Sequence, residues 1–151
     1  MPTVASPSED RRTATTVARL GIVAAAVYLV VLAVVLLWPD HLDRHADLVF
    51  RLAFRLFPSA NGREVDFGLN VLLFLPFGSL LAPLVPRHAW AVLVTAWVVP
   101  TLVEIAQGLL LPARVSSIFD VVANAAGSLT AALLVASVRG WLNRWLTRRR
   151  V

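Results

Sequence analysis

Four runs of apolar residues dominate the chain, separated by short polar segments. They cover about Val17–Trp38, Val65–Val85, Ala89–Leu111 and Ser117–Val138. At 1.5 Å rise per residue, each is long enough to cross a hydrocarbon core of about 30 Å as a helix. The pattern predicts an all-α membrane protein, a small bundle of four transmembrane helices. Between the first two runs, Asp47, Arg51 and Arg55 recur every four residues within an otherwise apolar stretch. That stripe predicts a short amphipathic helix in the first outer loop, lying at the membrane interface or capping the bundle. Pro58 and Asn61-Gly62 then turn the chain into the second span.

The flanks set domain limits and orientation. Residues 1–16 are polar and read as a disordered cytoplasmic tail, 17–138 as the transmembrane domain, and 139–151 as a basic cytoplasmic tail. The first run is too long for a signal h-region, and Leu36-Leu37-Trp38-Pro39 lacks a small-residue cleavage pattern, so it reads as an uncleaved anchor. With the N-terminus inside, the inner segments hold nine arginines and the outer loops five. The positive-inside rule then places both termini in the cytoplasm. Trp38, Trp90 and Trp141 fall near the expected interfaces.

Composition adds limits rather than a function. The 151 residues are 58% hydrophobic, with a mean hydropathy of +0.75 that suits one integral membrane domain. The net charge of +5 is carried by fourteen arginines, with no lysine. It lies beside the spans, which suits an anionic bilayer surface and not nucleic acid. The absence of cysteine excludes disulfides, thiolate metal sites and cysteine nucleophiles. His41 and His45 share helical spacing but are too few for a metal site, so no metal or cofactor is expected.

Candidate chemistry lies in the polar residues inside the apolar runs. Asp66 and Asn70 open the second, Glu104 and Gln107 lie toward the end of the third, and Asp120 and Asn124 open the fourth. Ionisable groups within a span are costly and mark functional positions. Their spacings of three or four residues put each pair on one helix face, and the topology gathers all three pairs on one side of the membrane. The repeated Asp-x-x-x-Asn also suggests a weak internal repeat. Ser117-x-x-Asp120 fits a capping-box start, so Asp66 and Asp120 each have a structural reading as first-turn acids. Asn70, Gln107 and Asn124 have one as interhelical hydrogen-bond glue. Glu104 faces the unfavourable end of its own helix dipole. No local rule explains it, and it is expected to be protonated, paired with arginine, or functional. Pro76 and Pro100 are expected to kink their helices. Arg114, in the loop between the last two spans, is placed to pair with an acid or hold an anion.

Asp66-x-x-x-Asn70-Val71-Leu72-Leu73-Phe74-Leu75-Pro76-Phe77-Gly78 resembles a motif of the VanZ-like family. Glu104-x-x-Gln107, Arg114 and Asp120-x-x-x-Asn124-x-x-Gly127 continue that pattern in order. Phe77 departs from it, standing where many members have a smaller or aliphatic residue. The resemblance covers about Trp38 to Ser137. It implies a bacterial cytoplasmic-membrane protein of the cell envelope, in a family named for teicoplanin resistance, and supplies no reaction.

Two functions compete. In one, an outward-facing cluster binds or acts on a lipid-linked envelope component and so affects glycopeptide susceptibility. Glu104, Asp120 and Asp66 would then be the candidate catalytic groups, and Asn70, Gln107, Arg114 and Asn124 the ligand contacts. In the other, the chain is a non-catalytic membrane module binding an envelope protein or drug, with the cluster as interhelical glue. A small transporter ranks behind both, because the inner halves of the spans lack a polar path.

Overall fold

Every element in the computed structural model is helical, and residues 7–37, 47–111 and 117–149 are described. Helix α1 spans Pro7–Leu37, α2 Asp47–Leu56, α3 Gly62–Leu81, α4 Val85–Leu110 and α5 Ile118–Arg148. A short 3-10 turn, Ala82–Leu84, joins α3 to α4. The chain divides into two units, Met1–Val34 and Val35–Val151.

The first unit is chiefly the apolar helix α1. In place of the disordered tail expected over residues 1–16, residues 7–16 are helical. Helix therefore begins ahead of the hydropathy. Trp38, His41, His45 and Arg114 lie outside the described residues.

In the second unit, local chemistry sets the boundaries. Asn61 caps α3 through a reciprocal box: its Oδ1 accepts from Glu64 N–H at 3.1 Å, and Glu64 Oε2 accepts from Asn61 N–H at 3.0 Å. Prolines end α3. Pro83 and Pro86 have no N–H to continue the ladder, so Ala82 N–H takes the Ser79 carbonyl and Val85 N–H takes the Ala82 carbonyl. These tighter bonds make the 3-10 turn. In α4 the break in helical backbone angles falls at His88 (φ −139°, ψ 49°), just before the expected span start at Ala89. Pro76 and Pro100 lie inside α3 and α4, which continue through them. Leu111, which precedes Pro112, leaves the helical region and closes α4 with its N–H on the Gln107 carbonyl at 2.8 Å.

Helix α5 is the centre of this unit and packs against both α3 and α4, which touch each other little. Most of its buried positions are small: Ala123, Ala125, Gly127, Ser128, Ala131 and Ala132, beside Val121 and Asn124. A Cβ built on Gly127 would collide with the Val71 backbone, and one on Gly78 would lie 2.7 Å from Ser128 Cα. The two glycines therefore let α3 and α5 cross in backbone contact, with Phe74 fully buried beside the crossing. Helix α4 presents Val92, Ala96, Pro100, Glu104 and Gln107 as one buried stripe. Its outer positions are large and apolar, including Leu93, Trp97, Leu102 and Ile105, and α5 exposes Leu133 and Leu134. So continuous an apolar surface suits lipid and not water. Three stretches are long and apolar enough to cross a membrane: Thr13–Leu37, Gly62–Leu110 and Ile118–Arg148.

Candidate functional site

The polar residues of α3, α4 and α5 converge on one end of the second unit. Helices α3 and α5 run in the same direction, since Asn70 meets Asp120 early in both while Gly78 meets Ser128 further along. Helix α4 runs against them, with Glu104, near its end, reaching Ser117 at the start of α5.

Each contact joins different elements. Asn70 Nδ2 donates to Asp120 Oδ1 at 3.1 Å, tying α3 to α5. Gln107 is buried on the α4 stripe, and its Nε2 donates to the Leu36 carbonyl at 2.7 Å, in the last turn of α1. A carbonyl there has no intrahelical partner, so the amide satisfies it. Glu104, only 8% exposed, accepts through Oε1 from the Ser117 backbone N–H. Ser117 is the N-cap of α5, and its Oγ accepts from Phe119 N–H at 3.2 Å. The carboxylate therefore faces the positive end of the α5 dipole. The expectation that no helix rule accounts for Glu104 holds for α4 alone; across helices, it caps α5. Asp120, at the third position of α5, does not complete a capping box with Ser117 but turns to Asn70.

Asn124 differs from these. It is 2% exposed, one turn beyond Asp120, and its Oδ1 finds no hydrogen-bond partner among the described residues. It is the buried side-chain polar atom left unmatched among the described residues. Its backbone carbonyl accepts from Ser128 Oγ at 2.8 Å, which leaves the amide oxygen without that donor. An unmatched buried acceptor costs about 1–3 kcal/mol.

Asp66 is exposed one turn into α3, whose first-turn acid is Glu64 and not Asp66 as expected, and Asp120 is half-buried in the first turn of α5. The structure thus brings together Asn70 with Asp120, and Glu104 with the start of α5, and places Gln107 one turn along α4. Asp66 lies one turn before Asn70, towards the start of α3. The Leu36 carbonyl and the Ser117 N–H were not singled out from sequence. Being backbone groups, they carry no side-chain signal, although the helix ends there mark them as groups needing partners. Among the described residues no cluster of three histidines, aspartates or glutamates gathers to hold a metal.

No curated protein and no solved structure matches the chain. A protein-family model, VanZ/LLP1, matches residues 25–139. That interval contains all the residues that tie the helices here, together with Gly78 and Gly127, and the chain belongs to the VanZ/LLP1 family.

Proposed function

We propose that the chain is a multi-pass protein of a bacterial cytoplasmic membrane whose polar end binds the head group of a lipid-linked envelope component. In this reading α1, α3, α4 and α5 each cross the bilayer, α2 lies at the outer interface, and both termini are cytoplasmic. The arginine distribution supports that orientation, and the exposed Leu48, Leu52 and Leu56 of α2 support its interfacial position. The observation that carries the binding reading is Asn124 Oδ1, a buried acceptor with no partner among the described residues, beside the acid–amide pair of Asp120 and Asn70. A ligand hydroxyl or amide would supply the missing donor, and the apolar helix faces would accommodate the lipid chain.

Within this site Asp120 is better placed than Glu104 for proton transfer. It is half-buried, whereas Glu104 is buried with one oxygen committed to the α5 N-terminus. Asp66, exposed on α3, would meet the outer part of a head group, with Arg114 of the adjoining loop on its anionic part. Glycopeptide susceptibility would change if the bound component is a glycopeptide target.

A second reading has its own support. The Asn70–Asp120, Gln107–Leu36 and Glu104–Ser117 contacts all tie one helix to another, as interhelical glue does. The chain would then be a non-catalytic module presenting its surface to an envelope protein or a drug. Native mass spectrometry of the purified wild type beside Asn124→Leu separates the two. A defined polyprenyl or phospholipid species on the wild type, lost from a variant that melts normally, supports the ligand site. The same mixed lipid on both rejects it.

A further inference from the structure

Helix α5 is longer than a bilayer needs, and its surplus carries a pattern of its own. Its 31 residues extend about 46 Å at 1.5 Å each, against a hydrocarbon core of about 30 Å. The apolar run ends near Val138, so the last three turns stand beyond it as regular helix. In those turns Val138, Trp141, Leu142, Trp145 and Leu146 fall on one face at helical spacing. All are exposed, Trp141 by 58% and Leu146 by 51%. At 100° per residue the stripe covers an arc of about 140°. Arg139 lies at one edge and Arg144 and Arg148 beyond the other. Arg149 falls within the stripe, its guanidinium 3.8 Å over the Trp145 ring.

Charge indicates what covers this face. No acidic residue follows Asp120, and five arginines lie between Arg139 and Arg150. A second copy packed stripe to stripe would set these charges against their like with no carboxylate between them. An anionic lipid surface meets both features. Tryptophan rings settle at the headgroup level, arginine stems lie along apolar surface with their heads in the polar zone, and guanidinium groups take phosphate in bidentate fashion. Past Val138 the helix first brings Trp141 and Leu142 into a headgroup layer about 5–8 Å deep. A lean toward the middle of the stripe brings in Trp145 and Leu146.

We propose that residues 138–149 form a docking surface for anionic phospholipid headgroups, which seats the end of α5 against the leaflet it leaves. This rests on the membrane-spanning reading of α5 above, but not on the ligand at the opposite end.

The chain has no cysteine, so single cysteines can report the geometry. Full-length Leu146→Cys, Asn143→Cys and Leu133→Cys proteins would be labelled with an environment-sensitive fluorophore. They would be reconstituted in phosphatidylcholine vesicles, with or without phosphatidylglycerol. With phosphatidylglycerol, the label at Leu146 should shift to the blue and be quenched by brominated lipid, while that at Asn143 stays open to aqueous quencher. Adding Arg144→Gln and Arg148→Gln should lower the shielded-to-exposed ratio at Leu146 by ~5-fold per arginine. A Leu146 label equally water-exposed in both vesicles would overturn the inference. So would shielding that scales with protein density and not with anionic lipid, which would mean a second copy. The label at Leu133 is the control. If brominated lipid fails to quench it, the spanning reading itself fails. If it is quenched while Leu146 stays wet, only the docking surface fails.

Discussion

Gly78→Ala should destabilise the protein even though alanine is the better helix former. In an open helical position the change would gain about 0.5–1 kcal/mol, because alanine gives up less backbone freedom. At Gly78 the added carbon would lie 2.7 Å from Ser128 Cα and closer still to its carbonyl. Ordinary contact begins near 3.4 Å, and backbone atoms have no rotamer in which to retreat. Helices α3 and α5 must therefore move apart, exposing part of the packing around Phe74. Overpacking of this kind costs about 1–3 kcal/mol, which outweighs the propensity gain. The separation also pulls on the Asn70–Asp120 bond, two turns away on α3. Gly68→Ala is the internal control. It lies on the same helix, its Cβ would meet nothing within 4 Å, and it should hold or raise stability. Circular-dichroism melts of the wild type and both variants in one detergent would compare them. If Gly78→Ala melts with or above Gly68→Ala, backbone contact at the crossing is wrong.

Other perturbations test the ties. Glu104→Gln keeps an oxygen for the Ser117 N–H, whereas Glu104→Ala removes it and should cost about 0.5–2 kcal/mol, the loss of an N-terminal cap; equal losses in thermal melts would remove the capping role. Asn70→Ala and Asp120→Ala, alone and combined, should show a coupling of about 0.5–1.5 kcal/mol, and strictly additive effects would mean the bond contributes nothing. Asn124→Leu in delipidated protein should leave stability unchanged or raise it by about 1 kcal/mol, since an unmatched acceptor is removed; a clear loss would show that Oδ1 is already satisfied. Gln107→Leu removes the amide donor to the Leu36 carbonyl and should cost about 0.5–1.5 kcal/mol in the same melts, and a neutral result would mean that bond adds nothing to stability.

Hydropathy located the helices well and their ends less well, for a physical reason. The apolar runs stop at Val17 and Val138, where arginines and polar residues begin, but helix needs backbone bonds and not apolar side chains. Arginine and alanine are good helix formers, so α1 begins at Pro7 and α5 runs to Arg148. The break near Ala89 was legible as the gap between the second and third apolar runs, although the residue that leaves helical geometry is His88, within that gap. At the site, spacing correctly put Glu104 and Gln107 on one face, because that face continues the buried stripe from Val92. It could not show which groups they meet. Their partners are a backbone N–H and a backbone carbonyl, 13 and 71 residues away in sequence, and only the packing of the helices brings them near.

The same packing gives meaning to the glycines of the family-like motifs. Gly78 and Gly127 stand in those motifs beside Asn70 and Asn124, and each lies where the backbones of α3 and α5 touch. Close approach at the crossing sets how far the two helices can diverge toward their N-terminal ends, where Asn70 must reach Asp120 within 3.1 Å. On the third side, α4 is fixed by Glu104 on the start of α5 and by Gln107 on Leu36. A glycine crossing and three polar ties thus position the residues around Asn124 from several directions. Amide glue alone would need no unmatched buried acceptor among these bonds, and an apolar residue would fill that position at lower cost. Asn124 is therefore the residue at which the binding and structural readings diverge most sharply: the first requires its amide, and the second would be better served without it.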